Sequence, residues 1–121
     1  YLTPHTVLAT DGKGTYWDQA VWHSQAAHQP TVVLFTAKWC GACQALHANV
    51  LSRSAVQDEL SRFTYVKVDL TNWEGPNGER AEKYGVHSIP TLIRFDADGK
   101  ETDRTHYLPP YQLIEWLKAG E

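Results

Sequence analysis

The stretch Thr31–Cys43 reads TVVLFTAKWCGAC and joins an apolar segment directly to a pair of cysteines. Its first part, Thr31–Ala37, is apolar and starts with β-branched residues, without the alternation of a half-exposed strand. This pattern is typical of a central strand that is buried on both faces. The following residues, Ala42–Leu51, carry apolar side chains at helical spacing. The sequence therefore predicts a cysteine pair where a buried strand passes into the N-terminus of a helix.

Cys40 and Cys43 are separated by two small residues, Gly41 and Ala42. The thiolate is the reactive form of cysteine, and the partial positive charge at a helix N-terminus stabilises the thiolate of the first cysteine. The second cysteine lies one turn later, where it can attack a mixed disulfide and release the product. We interpret Cys40 as the attacking nucleophile and Cys43 as the resolving thiol. Gly41 and Ala42 leave room for the disulfide of a partner protein.

A metal site is the main alternative for these cysteines. Structural zinc needs four ligands, usually from two such pairs, whereas the chain has only two cysteines. His47 follows Cys43 by four residues and would supply a third ligand. An inert pair is the other alternative, although inert cysteines do not require a strand-to-helix junction. A Cys-X-X-Cys motif in a βαβ context favours redox chemistry.

Length and composition limit the class of protein. The chain has 121 residues, which is typical of one domain with its own core, and we expect residues 1–121 to form it. Its net charge of −3 argues against nucleic acid as a partner, because phosphate binding usually leaves a basic footprint. No apolar run approaches the ~18 residues of a membrane helix. The chain begins at Tyr1 and has no Met, so we expect a processed protein or a piece of a longer one.

The rest of the chain alternates between strand and helix patterns. Residues 1–14 read as a polar extension with a short strand near Thr6–Ala9, and a helix is expected from Thr15 to Pro30. We expect further helices at Ser54–Leu60, at Glu79–Tyr84 and from Pro109 onwards, strands at Phe63–Leu70, Leu92–Phe95 and Lys100–His106, a loop at Thr71–Gly78 and a hairpin turn at Asp96–Gly99. The predicted fold class is α/β, with a right-handed βαβ unit followed by a hairpin and a covering helix.

Two motifs, Trp39–Cys43 (WCGAC) and Ile89-Pro90-Thr91, make the chain resemble the thioredoxin superfamily from residue 6 to residue 118. The resemblance implies a thioredoxin fold, in which a central mixed β-sheet is flanked by helices. It also implies a cis peptide bond at Pro90 that faces the cysteines, with the backbone of Ile89 offered to a bound partner strand. No cofactor is expected beyond the redox-active Cys40–Cys43 disulfide.

Two aromatic side chains are expected near the same surface. Trp39 precedes the nucleophile and is expected to shield it and to form part of the docking surface, with a purely packing role as the alternative. His87 lies three residues before Pro90 and is a candidate partner contact. The alternative is a solvated loop residue, because most exposed histidines have no special role.

Within the superfamily, four segments are similar to the C-terminal domains of the DsbD family of bacterial transmembrane thiol:disulfide interchange proteins, namely Thr36–Cys43, Ser52–Val56, Val66–Asp69 and Phe95–Glu101. This resemblance implies a periplasmic protein-disulfide reductase that belongs to a membrane-anchored protein. Its partners would be protein disulfides and dithiols, reached through a transient mixed disulfide. These include the membrane and N-terminal domains of the same full-length chain. A disulfide isomerase or oxidant, and a metal-handling module on the same fold, are the alternative functions.

The chain departs from this family at two positions. Thioredoxins and the DsbD-type domain carry a buried Asp six residues before the first cysteine, where this chain has Leu34. The DsbD-type domain also has an acid four residues after the second cysteine, where this chain has His47. We hypothesise that His47 replaces the missing carboxylate, because it lies one turn after Cys43 and imidazole titrates near neutral pH. A packed or surface histidine is the alternative.

Overall fold

The computed structural model describes the backbone of residues 6–9 and all of residues 28–121. The helix predicted from Thr15 to Pro30 lies outside the described residues, except for positions 28–30, which are not helical. Within the described part of the chain, no helix is both long enough and apolar enough to cross a membrane.

Among the described residues, five strands form one mixed sheet in the order β1-β3-β2-β4-β5. They are β1 (Thr6–Ala9), β2 (Thr31–Thr36), β3 (Thr64–Asp69), β4 (Thr91–Phe95) and β5 (Glu101–Thr105). The central strand, β2, is parallel to β3 and antiparallel to β4. Every residue of β2 after Thr31 is buried, which confirms the predicted strand with two covered faces. The short strand near Thr6–Ala9 is also confirmed, and it pairs in parallel with β3.

Four helices lie in the described part of the chain, at Gly41–Leu46 (α1), Ser54–Leu60 (α2), Gly75–Lys83 (α3) and Pro110–Lys118 (α4). α1 runs on without a break into a π-helical turn over His47–Leu51, so the single helix predicted to reach Leu51 changes its winding at His47. The final helix starts with Pro110 in its first turn, where a missing N–H costs nothing.

Two apolar cores cover the two faces of the sheet. One core packs α1, α2 and α4 against alternate residues of β2, of which Leu34 is fully buried. The other core packs α3 against the opposite face, where Val33 and Phe35 meet Ala81. Because successive residues of β2 point into opposite cores, its apolar run is continuous. The end of the strand is held between two closely packed layers.

The start of α3 corrects one prediction. We expected a loop over Thr71–Gly78 and a helix from Glu79, but the helix begins at Gly75. Pro76 suits the first helical turn because its φ angle is already helical and it needs no N–H partner there. The buried side chain of Asn77 donates a hydrogen bond to the carbonyl of Asp69 over 3.1 Å, which ties this first turn to the end of β3. The Gly and Pro residues that suggested a loop therefore start a helix.

The β4–β5 hairpin has the predicted turn. The Asp96 carboxylate accepts hydrogen bonds from the backbone N–H groups of Asp98 and Lys100, and Gly99 has a φ of 87°. Asp and Gly are the residues that such a turn favours, since the side chain of the first replaces a backbone acceptor and the second tolerates positive φ. The ends of the predicted strands differ from the observed ones by one residue, which is within the usual ambiguity of strand ends.

Candidate redox site

The two cysteines lie at the junction of β2 and α1, as the sequence predicts. Cys40 is the residue before the first turn of α1 and has an extended backbone, while Cys43 lies within the helix. Both are free thiols. Cys40 is 7% exposed and Cys43 is 1% exposed, so only the first borders the surface.

The sulfur of Cys40 has two polar neighbours. It accepts a hydrogen bond from the backbone N–H of Cys43 at 3.2 Å, and its thiol donates to the carbonyl of Ile89 at 3.6 Å. The first of these bonds uses an N–H group that has no partner inside the helix. A negative charge on the Cys40 sulfur would strengthen that bond and would also be favoured by the helix N-terminus.

Cys43 has a different environment. Burial raises the pKa of the Cys43 thiol, and its hydrogen bond with Cys40 raises it further. The Thr36 side chain acts in the opposite direction, because its hydrogen bond stabilises the thiolate and lowers the pKa. The net pKa lies above the ordinary thiol value, so Cys43 is held as a thiol near neutral pH.

The loop before β4 faces the cysteines. The Ile89–Pro90 peptide bond is cis, and Ile89 packs on an apolar cluster of Ala37 and the two cysteines. Pro90 is buried, whereas Ile89 is partly exposed. The structure therefore brings Ile89 and Pro90 together with Cys40, although they lie far apart in the sequence.

His106 holds this loop, although no motif in the sequence marks it as a functional residue. The Nδ1 atom of His106 lies 3.1 Å from the carbonyl oxygen of Pro90 and 3.2 Å from the hydroxyl of Thr91. Because a carbonyl can only accept, Nδ1 carries the proton. The Thr91 hydroxyl donates in turn to the carbonyl of Ser88 at 2.6 Å. The contact depends on the β4–β5 pairing, so no local pattern in the sequence could have indicated it.

Trp39 lies on the surface beside Cys40 and is 58% exposed. Its indole N–H donates to the carbonyl of Thr71 at 2.8 Å, and its ring stacks on Trp73 with 6.4 Å between the centroids. Gly41 and Ala42 are exposed, and a Cβ atom added at Gly41 would meet nothing within 4 Å. Packing does not explain a glycine at this position, and the surface in front of Cys40 is open.

His47 is half-buried, and its ring turns towards the end of β2. Its Nε2 atom lies 3.3 Å from the hydroxyl of Thr36. Burial lowers the pKa of His47, and the charge of Lys67 lowers it further. The imidazole is therefore neutral near pH 7 and can accept a proton.

The position of the missing carboxylate is apolar in this chain. Leu34 is fully buried and lies opposite Leu92 in the β2–β4 pairing. Tyr65, on the neighbouring strand, is 5% exposed, and burial raises the pKa of its hydroxyl far above the ordinary value. Neither side chain can exchange a proton with Cys43 near neutral pH.

His87 is exposed and lines a groove with Trp73 and Val86. Three glutamates also line this groove: Glu74, which directly precedes α3, and Glu79 and Glu82 within it. Cys40 and Cys43 do not line this groove. His87 therefore lies next to Trp73, whose ring stacks on Trp39.

The described residues hold no group of three or more His, Cys, Asp or Glu side chains arranged to bind a metal ion. His47, which the sequence offered as a third ligand after Cys43, points its Nε2 atom at Thr36.

This sheet, with its cysteine pair at the end of the central strand and a cis-proline opposite, is a thioredoxin fold of the kind that thiol–disulfide oxidoreductases use. Comparison with known proteins leads to the same class. The family described as thioredoxin-like domain matches residues 17–121, and the chain belongs to this family.

The curated relatives include both DsbD proteins and thioredoxins. The DsbD of Actinobacillus pleuropneumoniae serotype 5b is 33% identical over 84 residues, which cover 67% of this chain and 14% of that protein. The thioredoxin of Chlamydia trachomatis serovar D is 46% identical over 71 residues, which cover 59% of this chain and 62% of that protein. The chain therefore matches only a small part of the length of its DsbD relatives.

Among solved structures, the C-terminal domain of Neisseria meningitidis DsbD in the reduced form superposes with a TM-score of 0.79. The match covers 94% of this chain and 99% of that domain, at 20% sequence identity. At this identity the likeness shows the fold, and with the family match it supports the resemblance that the sequence indicated.

Proposed function

We propose that the chain is a protein-disulfide reductase that acts through the Cys40–Cys43 pair and belongs functionally with the C-terminal domains of DsbD proteins. The observation that carries the proposal is the position of the Cys40 sulfur. The Cys40 sulfur accepts a hydrogen bond from the Cys43 backbone N–H at 3.2 Å. It lies 3.6 Å from the Ile89 carbonyl oxygen, at the edge of an open surface. A thiolate there would accept this N–H in a charge-assisted hydrogen bond and would be close to a backbone that can align a partner chain.

In the proposed reaction, the Cys40 thiolate attacks one sulfur of a partner's disulfide. A mixed disulfide forms between Cys40 and that sulfur, and the partner's other sulfur leaves as a thiolate and takes up a proton. The Cys43 sulfur then attacks Cys40, loses its proton and displaces the first partner sulfur. The partner gains two electrons and two protons, and the chain is left with a Cys40–Cys43 disulfide.

The docking surface proposed for partners surrounds Cys40. Trp39 supplies an exposed aromatic face, and its hydrogen bond to Thr71 fixes the orientation of the ring. Gly41 and Ala42 allow close approach, since both residues are small and exposed. Ile89 and Pro90 supply the opposite wall, where the Ile89 backbone would pair with an extended partner segment.

His87 is proposed as an outer contact of the same surface. It lies on the groove next to Trp73, so only a partner that extends beyond the Trp39–Trp73 stack would reach it.

His47 is proposed as the proton acceptor for Cys43. Its lowered pKa leaves it neutral near pH 7, and it lies one turn beyond Cys43 on the same helix. It would take over the function of the carboxylate that relatives have and that Leu34 cannot perform.

The direction of electron flow is the finer part of the proposal. We infer that the domain receives electrons from a membrane domain and reduces a partner domain in the bacterial periplasm. The DsbD relatives support this inference, but their match covers only about a seventh of their length. An oxidant or isomerase would use the same two cysteines, so the reduction potential is what distinguishes these functions.

The potential can be measured by equilibrating the purified protein in defined thiol–disulfide buffers and following Trp39 fluorescence and the alkylation of Cys40. A reductase should give a value near or below about −230 mV. A value above roughly −180 mV would instead place the protein with isomerases or oxidants and would overturn the reductant proposal. A double variant, Cys40→Ser with Cys43→Ser, should give no transition at any buffer ratio and serves as the control.

A further inference from the structure

We propose that the hydroxyl of Thr36 passes the proton between Cys43 and His47 when Cys43 attacks the mixed disulfide. The inference rests on the proposed thiol–disulfide exchange and assigns a residue that neither the cysteine motif nor the missing carboxylate indicated. Thr36 is the last residue of β2, so its hydroxyl lies at the same end of the strand as the cysteines that follow it.

The geometry places Thr36 between the two groups. Its hydroxyl lies 3.3 Å from Nε2 of His47, and its interaction with Cys43 lowers the pKa of that thiol. Thr36 is 9% exposed and Cys43 is 1% exposed, so bulk water has little access to the thiol proton. His47, by contrast, is half-buried and connects this closed site with the solvent.

A hydroxyl can carry a proton in this position because it both donates and accepts. With Cys43 as a thiol, the S–H donates to the Thr36 oxygen, and the Thr36 O–H donates to the neutral Nε2 of His47. After transfer, protonated Nε2 donates to the Thr36 oxygen, and the Thr36 O–H donates to the Cys43 thiolate. Only two protons move, one from the Cys43 sulfur to the Thr36 oxygen and one from that oxygen to Nε2 of His47, and the hydroxyl is regenerated.

The surrounding charges favour a proton that is only briefly bound to His47. Lys67 on β3 faces His47 and disfavours a lasting positive charge on the ring, while Asp69 is the charged neighbour of Lys67. Cys40 is the titratable group that faces Cys43. Once Cys40 is bound in a mixed disulfide it carries no charge, so it no longer opposes ionisation of Cys43.

The complete step conserves atoms and electrons. The Cys43 S–H bond breaks, and its proton passes through Thr36 to Nε2 of His47. The sulfur–sulfur bond between Cys43 and Cys40 forms while the bond between Cys40 and the partner breaks. Cys40 and Cys43 are oxidised to the disulfide, the partner sulfur is reduced to a thiolate, and that thiolate or the solvent takes the proton from His47.

The test separates this step from the first attack. The reduced protein is mixed with dithiobis(nitrobenzoate), a small disulfide whose released thiolate is coloured, in a stopped-flow instrument. The first release reports attack by Cys40 and depends on the reagent concentration. The second release reports attack by Cys43 on the mixed disulfide and does not depend on it. Both are followed against pH in the wild type and in the variants.

Thr36→Val removes the hydroxyl and keeps the shape, and it should slow the second release near neutral pH by about tenfold or more, since positioned proton transfer typically contributes 10²–10⁴-fold. Thr36→Ser keeps the hydroxyl and should retain most of the rate. Thr64→Val makes the same change at a buried threonine at the other end of the β2–β3 pair and should leave the second release as in the wild type. If Thr36→Val does not fold, Thr36→Ala carries the same test.

The pH profile and a double variant distinguish a relay from loss of packing. The rates of Thr36→Val and wild type should converge at high pH, where Cys43 ionises without help. His47→Gln should slow the second release as Thr36→Val does, and the double variant should be no slower than the slower single one, because both act on one route. An unchanged second release in Thr36→Val, a loss that is equal at every pH, or additive losses would overturn the inference. Absence of the first release would instead count against the proposed function.

Discussion

The backbone N–H of Cys43 donates a hydrogen bond to the sulfur of Cys40 over 3.2 Å. The two thiols are thereby made unequal. Cys40 receives the N–H at the start of the helix and borders the surface, while Cys43 is enclosed by the helix and the end of β2. Burial raises the pKa of Cys43. This difference supports the proposed roles, in which Cys40 attacks a partner and Cys43 needs a proton acceptor before it reacts.

Replacing Trp39 should weaken the reaction with protein substrates. Trp39→Ala removes the exposed ring beside Cys40, and we expect kcat/KM for reduction of a protein disulfide to fall by about tenfold, since truncating an aromatic anchor typically costs more than 1 kcal/mol. The loss should be smaller for a small disulfide, which covers less of the surface. Trp39→Phe keeps a ring but loses the hydrogen bond to Thr71, so its kcat/KM should lie between those of the wild type and Trp39→Ala. Equal losses for large and small substrates would contradict a docking role.

His106 is expected to position the Pro90 loop. His106→Ala removes the donor to the Pro90 carbonyl, which should raise KM for a protein disulfide with little change in kcat, and lower the free energy of unfolding by about 1 kcal/mol. His106→Asn places an N–H near the position of Nδ1. It should restore most of the wild-type KM and most of the free energy of unfolding. Urea denaturation and steady-state kinetics on the same preparations measure the two effects. A fall in kcat without a change in KM would argue against positioning.

The lowered pKa of His47 predicts a pH dependence of stability. A group whose pKa is lower in the folded state stabilises the fold above its unfolded value and loses that contribution as pH falls through the folded value. The reference value of His47 is 6.5, so the free energy of unfolding should start to fall below about that pH. His47→Gln should show a smaller fall between about pH 7 and about pH 5 in urea titrations. An identical fall in both proteins would show that His47 does not carry this effect.

The junction of β2 and α1 could be predicted because its signal is local. The continuous apolar run of Thr31–Ala37 and the helical spacing after Cys43 lie side by side in the sequence, and each has a direct physical meaning. The Pro90 loop could be predicted only through the resemblance, since nothing in the composition of Ile89-Pro90-Thr91 connects it to the cysteines. Family membership and the cysteine site therefore followed from a small number of adjacent residues.

The remaining features depend on contacts between distant residues. His106 reaches Pro90 because β5 folds back along β4, and that register is not encoded in any short segment. Thr36 had the pattern of a strand residue, and its contact with His47 arises from the orientation of a helix packed on the strand. The sequence predicts a loop at the start of α3 because Gly75 and Gly78 are typical loop residues, whereas Gly78 lies in the helix and packs closely on the backbone of Trp73.

Gly78 provides a test of that role. A Cβ atom added there would lie 3.0 Å from the carbonyl carbon and oxygen of Trp73, which are backbone atoms with little freedom to move. Gly78→Ala should therefore lower the free energy of unfolding by about 1–3 kcal/mol through overpacking, although alanine favours helices. Glu79→Ala, at the next and exposed helical position, should change it by less than about 0.5 kcal/mol. Stabilisation by Gly78→Ala, measured by urea denaturation, would contradict the close approach.

Trapping the mixed disulfide distinguishes the attacking thiol, proposed as Cys40, from the resolving thiol, proposed as Cys43. Cys43→Ser and Cys40→Ser variants are each mixed with a protein disulfide substrate, quenched with acid and analysed by mass spectrometry without reductant. We expect Cys43→Ser to accumulate a mixed disulfide through Cys40, because no thiol remains to release the partner, while Cys40→Ser should form little. Accumulation through Cys43 in Cys40→Ser, at a rate equal to or above that of Cys43→Ser, would contradict it.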